Sequence, residues 1–444
     1  MAEVTRREFL VGTAGAVAAA AAAGASGAAP TTQTAEAAAL PAPADSGIDH
    51  IVVVMMENRS FDHYLGWLPG ADGKQAGLTF TDSGGVAHET HHLTVPYGCG
   101  FNDPDHSYEG GRVELNGGAC DGWLRAGHND VFSIGYFQAG DLGFYGHAAR
   151  DWTVCDRYFA AMMAPTYPNR FFVHSAQTDR TTTSVERIAQ MPAIWDRLAA
   201  AGVKGRYFFG DVPFTALWGT RYLGISRPIS DFYSAAAAGT LPPVSYVDPA
   251  FLGEAVPGLA EDEHPLADIR LGQHFLGKVY NAVVSSPNWG RTVLVITYDE
   301  WGGFFDHVAP QEGPDPNPDL GAGLRGFRVP CLVVSPRSRR GQVVHGLYDH
   351  TSVLKMIEWR FGLAPLTVRD AAANNLAEVL DFEHPPVLQA PRYNVPKPLT
   401  FGCLLPTHAH SGEDWPDLAR VAQRRGFNVK VNRPATPQPV PSPG

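Results

Sequence analysis

The apolar residues of this chain fall into short uninterrupted runs that are separated by helical patterns. Two of the runs, at residues 51–56 and 293–298, have the length and composition of buried parallel strands. Helix-like and strand-like segments alternate over residues 191–250, and an amphipathic pattern over residues 267–285 leads into the second run. Another strand of the sheet is expected over residues 327–335. This alternation predicts an α/β fold, with a central, mostly parallel sheet flanked by helices.

Polar side chains stand directly after both of these runs. Glu57 and Asn58 follow the first, and Asp299 and Glu300 follow the second. Open α/β sheets bind ligands at the carboxyl ends of their strands. Neighbouring carboxylates repel unless a positive charge lies between them, and a divalent metal ion is the simplest such charge because hard cations take carboxylate oxygens. The pattern therefore predicts a divalent metal site; the alternative is that these acids only cap a loop.

A second candidate for chemistry is the segment Pro165 to Arg170, with the sequence PTYPNR. Pro168 suits the first turn of a helix over residues 169–175, which would put Thr166 beside the positive end of that helix. Backbone N–H groups there, together with Arg170, are suited to holding a phosphate or sulfate group. We expect a hydroxyl that attacks an anionic group; the alternative is a plain loop-to-helix junction with a capping threonine.

Residues 70–130 are rich in Gly, Asn, Asp and His and have few long apolar runs, so they are predicted to form long loops over the carboxyl ends of the strands. His106 lies in these loops, after two acids and before a turn. His264 stands just before Pro265, ahead of the amphipathic helix, and His307 follows the acidic pair closely. The first two are candidate proton donors to a leaving group.

The two ends of the chain differ from the rest in composition. Residues 1–45 combine Arg6 and Arg7 with an Ala-rich run, which predicts a twin-arginine signal and its linker. Residues 46–434 are then expected to form a single catalytic domain, with residues 365–434 as its peripheral wrap, and the Pro-rich residues 435–444 a tail. We expect export through the twin-arginine translocation machinery and a mature protein that is secreted or associated with the cell wall.

Composition narrows the possible partners. A formal net charge of −11 argues against a nucleic-acid partner, because phosphate contacts need a basic surface.

The chain has five cysteines, so at least one is unpaired. Cys99 and Cys120 are the expected bridge, and Cys331 is expected to be a buried small apolar residue.

Three blocks of sequence together resemble a known family. ENRSFDHY begins at Glu57, PTYPNR at Pro165 and YDEWGGFFDHV at Tyr298. In this order they resemble the bacterial phosphoesterase family that contains phosphatidylcholine-type phospholipases C and a group of acid phosphatases, over roughly residues 48–365. The resemblance implies an alkaline-phosphatase-like fold in which a Ser or Thr nucleophile lies on a metal held by acids from several strand ends.

The resemblance also implies roles for individual residues. These are Thr166 as nucleophile, His106 and His264 as catalytic histidines, Asn58 and His307 as substrate-binding residues, and Glu57, Asn58, Thr166, Asp299 and Glu300 as metal ligands. The third substrate-binding candidate is Arg170, which the residues themselves suggest as a partner of the phosphate oxygens. From the residues alone, Arg170 is equally well explained as the structural partner of a nearby acid.

These expectations lead to a metal-dependent phospholipase C that cleaves phospholipid to diacylglycerol and a phosphorylated head group, through a phosphothreonine intermediate and a transient contact with a membrane surface. An acid phosphatase acting on small phosphomonoesters is the alternative. A sulfatase is disfavoured because Thr166 stands where that chemistry needs an oxidised Cys or Ser. The non-enzymatic alternative is an exported α/β binding protein.

Overall fold

The computed structural model of the chain describes residues 40–253, 259–400 and 415–429. Its strands are β1 His50–Met56, β2 Thr79–Thr81, β3 Ala87–Glu89, β4 His91–His92, β5 Gly135–Tyr136, β6 Thr153–Cys155, β7 Tyr158–Phe159, β8 Gly205–Phe209, β9 Ser226–Pro228, β10 Val244–Asp248, β11 Thr292–Tyr298, β12 Cys331–Val334, β13 Val343–Val344 and β14 Tyr348–Asp349. Its α-helices are α1 Phe61–Leu65, α2 Tyr108–Leu115, α3 Tyr145–Asp151, α4 Thr166–Ser175, α5 Ile194–Ala200, α6 Ile229–Ala238, α7 Ile269–Val284, α8 His350–Phe361, α9 Val368–Ala371 and α10 Trp415–Arg424.

Eight of these strands form one central sheet in the order β13-β6-β12-β11-β1-β10-β8-β9. The pairs from β11 across to β9 are parallel, whereas β12 is antiparallel to both β11 and β6. The α/β class with a mostly parallel central sheet is therefore confirmed. Apart from His50 at the start of β1, the side chains of β1 and β11 are buried throughout, as expected for strands covered on both faces.

The register of the central strands decides where the site forms. Met56 of β1 lies opposite Tyr298 of β11, so the residues that follow these two strands leave the sheet at the same edge. On the other side of β1, Val54 pairs with Val247 of β10, which brings the last residue of β10 to this edge as well. Three neighbouring strands therefore end together.

Two predicted elements begin or end elsewhere. The strand expected over residues 327–335 is shorter, because Val329 donates its N–H to Tyr158 and Pro330 has no N–H to donate; β12 starts only at Cys331. The helix expected over residues 169–175 begins earlier, at Thr166. Within the described ranges, no helix combines the length and apolar composition that a membrane span requires.

The cysteine prediction was wrong in one respect. Cys99 is disulfide-bonded but Cys120 is free, so these two residues do not form a bridge. Spacing along the chain did not show that Cys120 lies buried in the turn that follows α2, in the left-handed conformation, with its thiol directed at the carbonyl of Gly118. Cys331 is free and buried, as predicted.

The predicted ends of the chain fall mostly outside the described residues. Residues 1–39, including Arg6 and Arg7, and residues 430–444 with the Pro-rich tail are not described, so the signal, the tail and the domain limits stay predictions.

Candidate active site

The carboxyl ends of three adjacent strands each supply a buried carboxylate. Glu57 follows β1, Asp299 follows β11, and Asp248 is the last residue of β10. Opposite them lies α4, whose first residue is Thr166 and whose fifth is Arg170. These two side chains are one helical turn apart, so both face the strand ends.

Arg170 connects all three carboxylates. Its guanidinium nitrogens lie 3.1 Å from Glu57 Oε1, 3.3 Å from Asp248 Oδ1 and 3.1 Å from Asp299 Oδ2. Burial alone would lower the pKa of Arg170, but the three carboxylates outweigh burial and raise it. The guanidinium also stacks 4.7 Å from the centre of the Phe251 ring. Arg170 is therefore a structural partner of acids, the second of the two roles that the sequence allowed, and its donors are directed at protein.

Three oxygens from two segments converge on the side-chain amide of Asn58. Its Nδ2 lies 3.1 Å from Thr166 Oγ1 and 3.2 Å from Asp299 Oδ1, and it also donates to Glu300 Oε1. The four side chains are fully buried. A set of hydroxyl and carboxylate oxygens within reach of one point is the environment that a hard divalent cation requires.

Backbone geometry fixes this arrangement. Asn58 has φ = 61°, in the left-handed region that Asn tolerates better than most residues. Gly302 also has a positive φ, and a Cβ placed on it would lie 2.2 Å from the carbonyl oxygen of Asn58. The N–H of Gly302 donates to Glu300 Oε2 at 2.7 Å. Only glycine permits this approach, which locks Glu300 against Asn58.

His106 and His264 lie beside this set and are nearly or fully buried. His106 Nε2 is 3.8 Å from Glu300 Oε1, and its Nδ1 bonds the carbonyl of Pro104 at 2.8 Å. His264 Nε2 lies 3.7 Å from Asp103 Oδ2, and the two histidine rings are 6.0 Å apart. The long loop therefore does bring an imidazole over the strand ends, as predicted.

The residue before His264, Glu263, anchors this segment and has φ = 74°, although it is neither Gly nor Asn. The Glu263 carboxylate accepts hydrogen bonds from Tyr64, Tyr298 and Gln273. Burial raises the pKa of Glu263 to about 7, although these hydrogen bonds lower it. The Arg59 guanidinium donates to the carbonyl of Glu263 at 2.7 Å and to that of His264 at 3.1 Å, so side-chain and backbone anchors fix this segment together.

The structure places His307 in a different cluster. Its Nδ1 lies 2.5 Å from Asp62, and Asp62, Asp306 and His307 offer ligand atoms within 4.8 Å of one another. Arg328 already fills this position, however, with nitrogens 3.0 Å from Asp62 and 2.9 Å from Asp306. Since the guanidinium supplies the positive charge there, the oxygens around Asn58 fit a metal ion better.

Two contributors were missed in the sequence. Asp248 follows an apolar run, as Glu57 and Asp299 do, so the same signal was available. Trp415, in a segment expected to be a peripheral wrap, is buried against Phe251 and lies with its indole Nε1 3.4 Å from Glu57 Oε2. No local pattern marks that contact, because the two residues are 358 positions apart.

The fold and site define an α/β protein with a buried, acid-rich centre around one threonine hydroxyl. A model of the Phosphoesterase family matches residues 48–364, and the chain belongs to this family. Phospholipase C B of Mycobacterium tuberculosis is 33% identical, over 80% of this chain and 82% of its own length. Non-specific phospholipase C6 of Arabidopsis thaliana is 31% identical, over 80% of this chain and 75% of its own.

Similar solved structures share less sequence. A protein in the alkaline phosphatase superfamily from Vibrio parahaemolyticus is 11% identical with a TM-score of 0.36, over 73% of this chain and 69% of that one. The lipoteichoic acid synthase LtaP from Listeria monocytogenes is 10% identical with a TM-score of 0.39, over 75% and 76%. The family match and the phospholipase C relatives confirm the resemblance given above: this protein is a hydrolase that acts on phosphoric ester bonds.

Replacing Arg170 should destabilise the protein strongly. Arg170→Gln leaves three buried carboxylates without their counter-charge, so the free energy of unfolding should fall by roughly 3–5 kcal/mol in denaturant titrations. Arg187→Gln is the control, because Arg187 is 70% exposed and its ion pair spans 3.7 Å; its cost should stay below about 1 kcal/mol. Equal costs for the two variants would contradict the role given to Arg170.

Glu263 should make stability depend on pH. Its pKa rises from 4.5 in the unfolded chain to about 7 in the folded one, so the folded state binds more protons between these values. The free energy of unfolding should therefore lose about 3 kcal/mol as the pH rises from 4.5 to 7, through this group alone. In Glu263→Gln this loss should disappear, whereas exposed Glu89→Gln should keep the wild-type profile. Parallel profiles for all three proteins would refute the assignment.

Proposed function

We propose that this protein is a metal-dependent phospholipase C that hydrolyses phosphatidylcholine-type phospholipids, with Thr166 as nucleophile. The observation that carries this proposal is the convergence of Thr166 Oγ1, Asp299 Oδ1 and Glu300 Oε1 on the amide of Asn58. The substrate class is supported by the relatives, which are named phospholipase C in both a bacterium and a plant.

The residues that would hold the ion are Glu57, Asn58, Thr166, Asp299 and Glu300. Asn58 would turn its amide so that the oxygen faces the same point, since the O and N of an amide occupy similar positions. When bound, a divalent ion lowers the pKa of a coordinated hydroxyl and neutralises charge on phosphate oxygens. A neutral threonine hydroxyl is a poor nucleophile, so activation of this kind suits the site.

The reaction would then proceed through two successive substitutions at phosphorus, in which the chain's own residues take part. Thr166 gives its hydroxyl proton to a neighbouring carboxylate and its Oγ attacks phosphorus; the bond from phosphorus to the glycerol oxygen breaks, and the departing diacylglycerol oxygen takes a proton from His106 or His264. Water next attacks the phosphothreonine, which still carries the head group, and gives one proton back to that histidine. The bond from phosphorus to the Thr166 oxygen breaks, that oxygen regains its proton from the carboxylate, and the phosphorylated head group is released. Thr166 lies at the positive end of the α4 dipole, which favours the negative charge of the bound phosphate.

Substitution of Thr166 tests this mechanism directly. Thr166→Ala should lower kcat on phosphatidylcholine by at least about 10³-fold while the melting temperature is retained, because only the nucleophile is lost. Thr166→Ser is the matched control and should keep measurable turnover, since it keeps the hydroxyl. Acid-quenched wild type should yield a phosphorylated peptide that contains Thr166. Full activity of Thr166→Ala would exclude the proposal.

The same proteins distinguish the alternatives. A chelator should abolish turnover, and adding a divalent ion should restore it. Release of diacylglycerol from phosphatidylcholine supports the phospholipase, whereas turnover only of a small phosphomonoester would identify an acid phosphatase. Absence of turnover on any phosphoester would exclude both of these activities.

We also propose that the protein is exported through the twin-arginine route, on the basis of Arg6, Arg7 and the Ala-rich run that follows them. Replacing both arginines by lysine should keep the protein inside the cell, as measured by fractionation and immunoblotting. Unchanged secretion of that variant would refute this route.

A further inference from the structure

Three large apolar side chains stay partly exposed on two loops near the candidate active site. Val95 and Tyr97 keep 37% and 36% of their surface exposed, and Val131 keeps 37%. Isolated exposed apolar residues are common and need no explanation, so what matters is whether these three form one surface.

Packing beneath the loops joins them. A Cβ placed on Gly98 would lie 2.9 Å from the ring of Phe132, which shows how closely the first loop rests on the second. Partly exposed Phe101 stacks on Phe132 with ring centres 4.9 Å apart and planes 10° apart. We call Val95, Tyr97, Phe101 and Val131 the apolar rim. A surface cavity of about 290 Å³ beside it is lined in part by Leu93, Val95, Pro96 and Phe137.

The rim is continuous with the candidate site. A Cβ on Gly98 would also lie 2.6 Å from the carbonyl oxygen of Pro265, the residue after His264. Phe101 stands two residues before Asp103, whose carboxylate faces His264 at 3.7 Å. Cys99 is disulfide-bonded, so this loop has a covalent tether in addition to its packing.

Charge excludes one kind of partner for this surface. The chain carries a formal net charge of −11, and Asp130 and Asp141 lie beside the rim. The nearby Arg270 is held by Asp268, with a nitrogen 2.6 Å from its carboxylate. An anionic membrane would be repelled, so attraction here must come from apolar burial.

We propose that the apolar rim is the surface through which this protein rests on a bilayer of zwitterionic phospholipid, so that a head group enters the site from the membrane plane. The entry of a head group into the site rests on the proposed phospholipase function, but the binding of the rim to vesicles requires no turnover. The rim inserts its apolar side chains among the head groups, which is the behaviour of interfacial anchors.

Vesicle sedimentation with the full-length Thr166→Ala protein tests the rim without hydrolysis. Replacing Val95, Tyr97 and Val131 together by Ser should lower binding to phosphatidylcholine vesicles by roughly tenfold, because most of the inserted apolar area is lost. Val86→Ser is the matched control: Val86 is 56% exposed but lies in the β2–β3 turn, and its loss should leave binding unchanged. Binding should be insensitive to salt and should not increase when anionic lipid is added.

Each other outcome overturns the proposal. These outcomes are wild-type-like binding by the triple variant, equal loss in Val86→Ser, binding only to anionic vesicles, and absence of vesicle binding. Failure of the proposed function looks different: the rim still binds vesicles, but wild-type protein does not hydrolyse them.

A second measurement guards against a folding defect in the triple variant. Val131→Cys labelled with an environment-sensitive dye should show a blue-shifted emission when phosphatidylcholine vesicles are added, because the dye enters an apolar layer. The same label at Val86→Cys should show no shift. The free cysteines of the described residues are buried, which restricts labelling to the new thiol. An unshifted emission at position 131 would overturn the proposal even if the triple variant misfolds.

Discussion

The buried ion-pair network of Arg170 is the interaction on which the site depends. Carboxylates at the ends of three adjacent parallel strands would repel one another strongly in a dry interior, and one guanidinium held among them offsets part of that repulsion. Arg170 pairs with three carboxylates and Glu300 adds a fourth beside Asn58, so the centre retains excess negative charge. That excess is the physical reason why a divalent cation suits the place. Because Arg170 and Thr166 share one helical turn, the interaction that holds the acids also positions the hydroxyl.

The sequence predicted the parts of this arrangement that depend on local pattern. Runs at 51–56 and 293–298 are buried strands because their length and composition leave few alternatives, and the polar residues after them meet because parallel strands share an edge. Thr166 was placed correctly beside a helix start, since Pro168 favours the first turn.

Features that depend on long-range packing could not be predicted in this way. The antiparallel direction of β12, the free state of Cys120 and the contact of Trp415 with Glu57 all depend on which distant segments meet. The two roles possible for Arg170 could be separated only by distances, because a guanidinium that binds a phosphate and one that binds carboxylates look alike in sequence. Asp248 could have been predicted, because it follows an apolar run in the same way as Glu57 and Asp299.

The contact between Trp415 and Glu57 has a consequence for how the protein matures. Chain synthesis proceeds from the amino end, so the Glu57 carboxylate emerges early, whereas the Trp415 indole that packs beside it emerges 358 residues later. The environment of that acid is thus completed long after the acid itself has been made. A polypeptide that stops before α10 would lack this contact, which links the surroundings of Glu57 to the integrity of that distant helix.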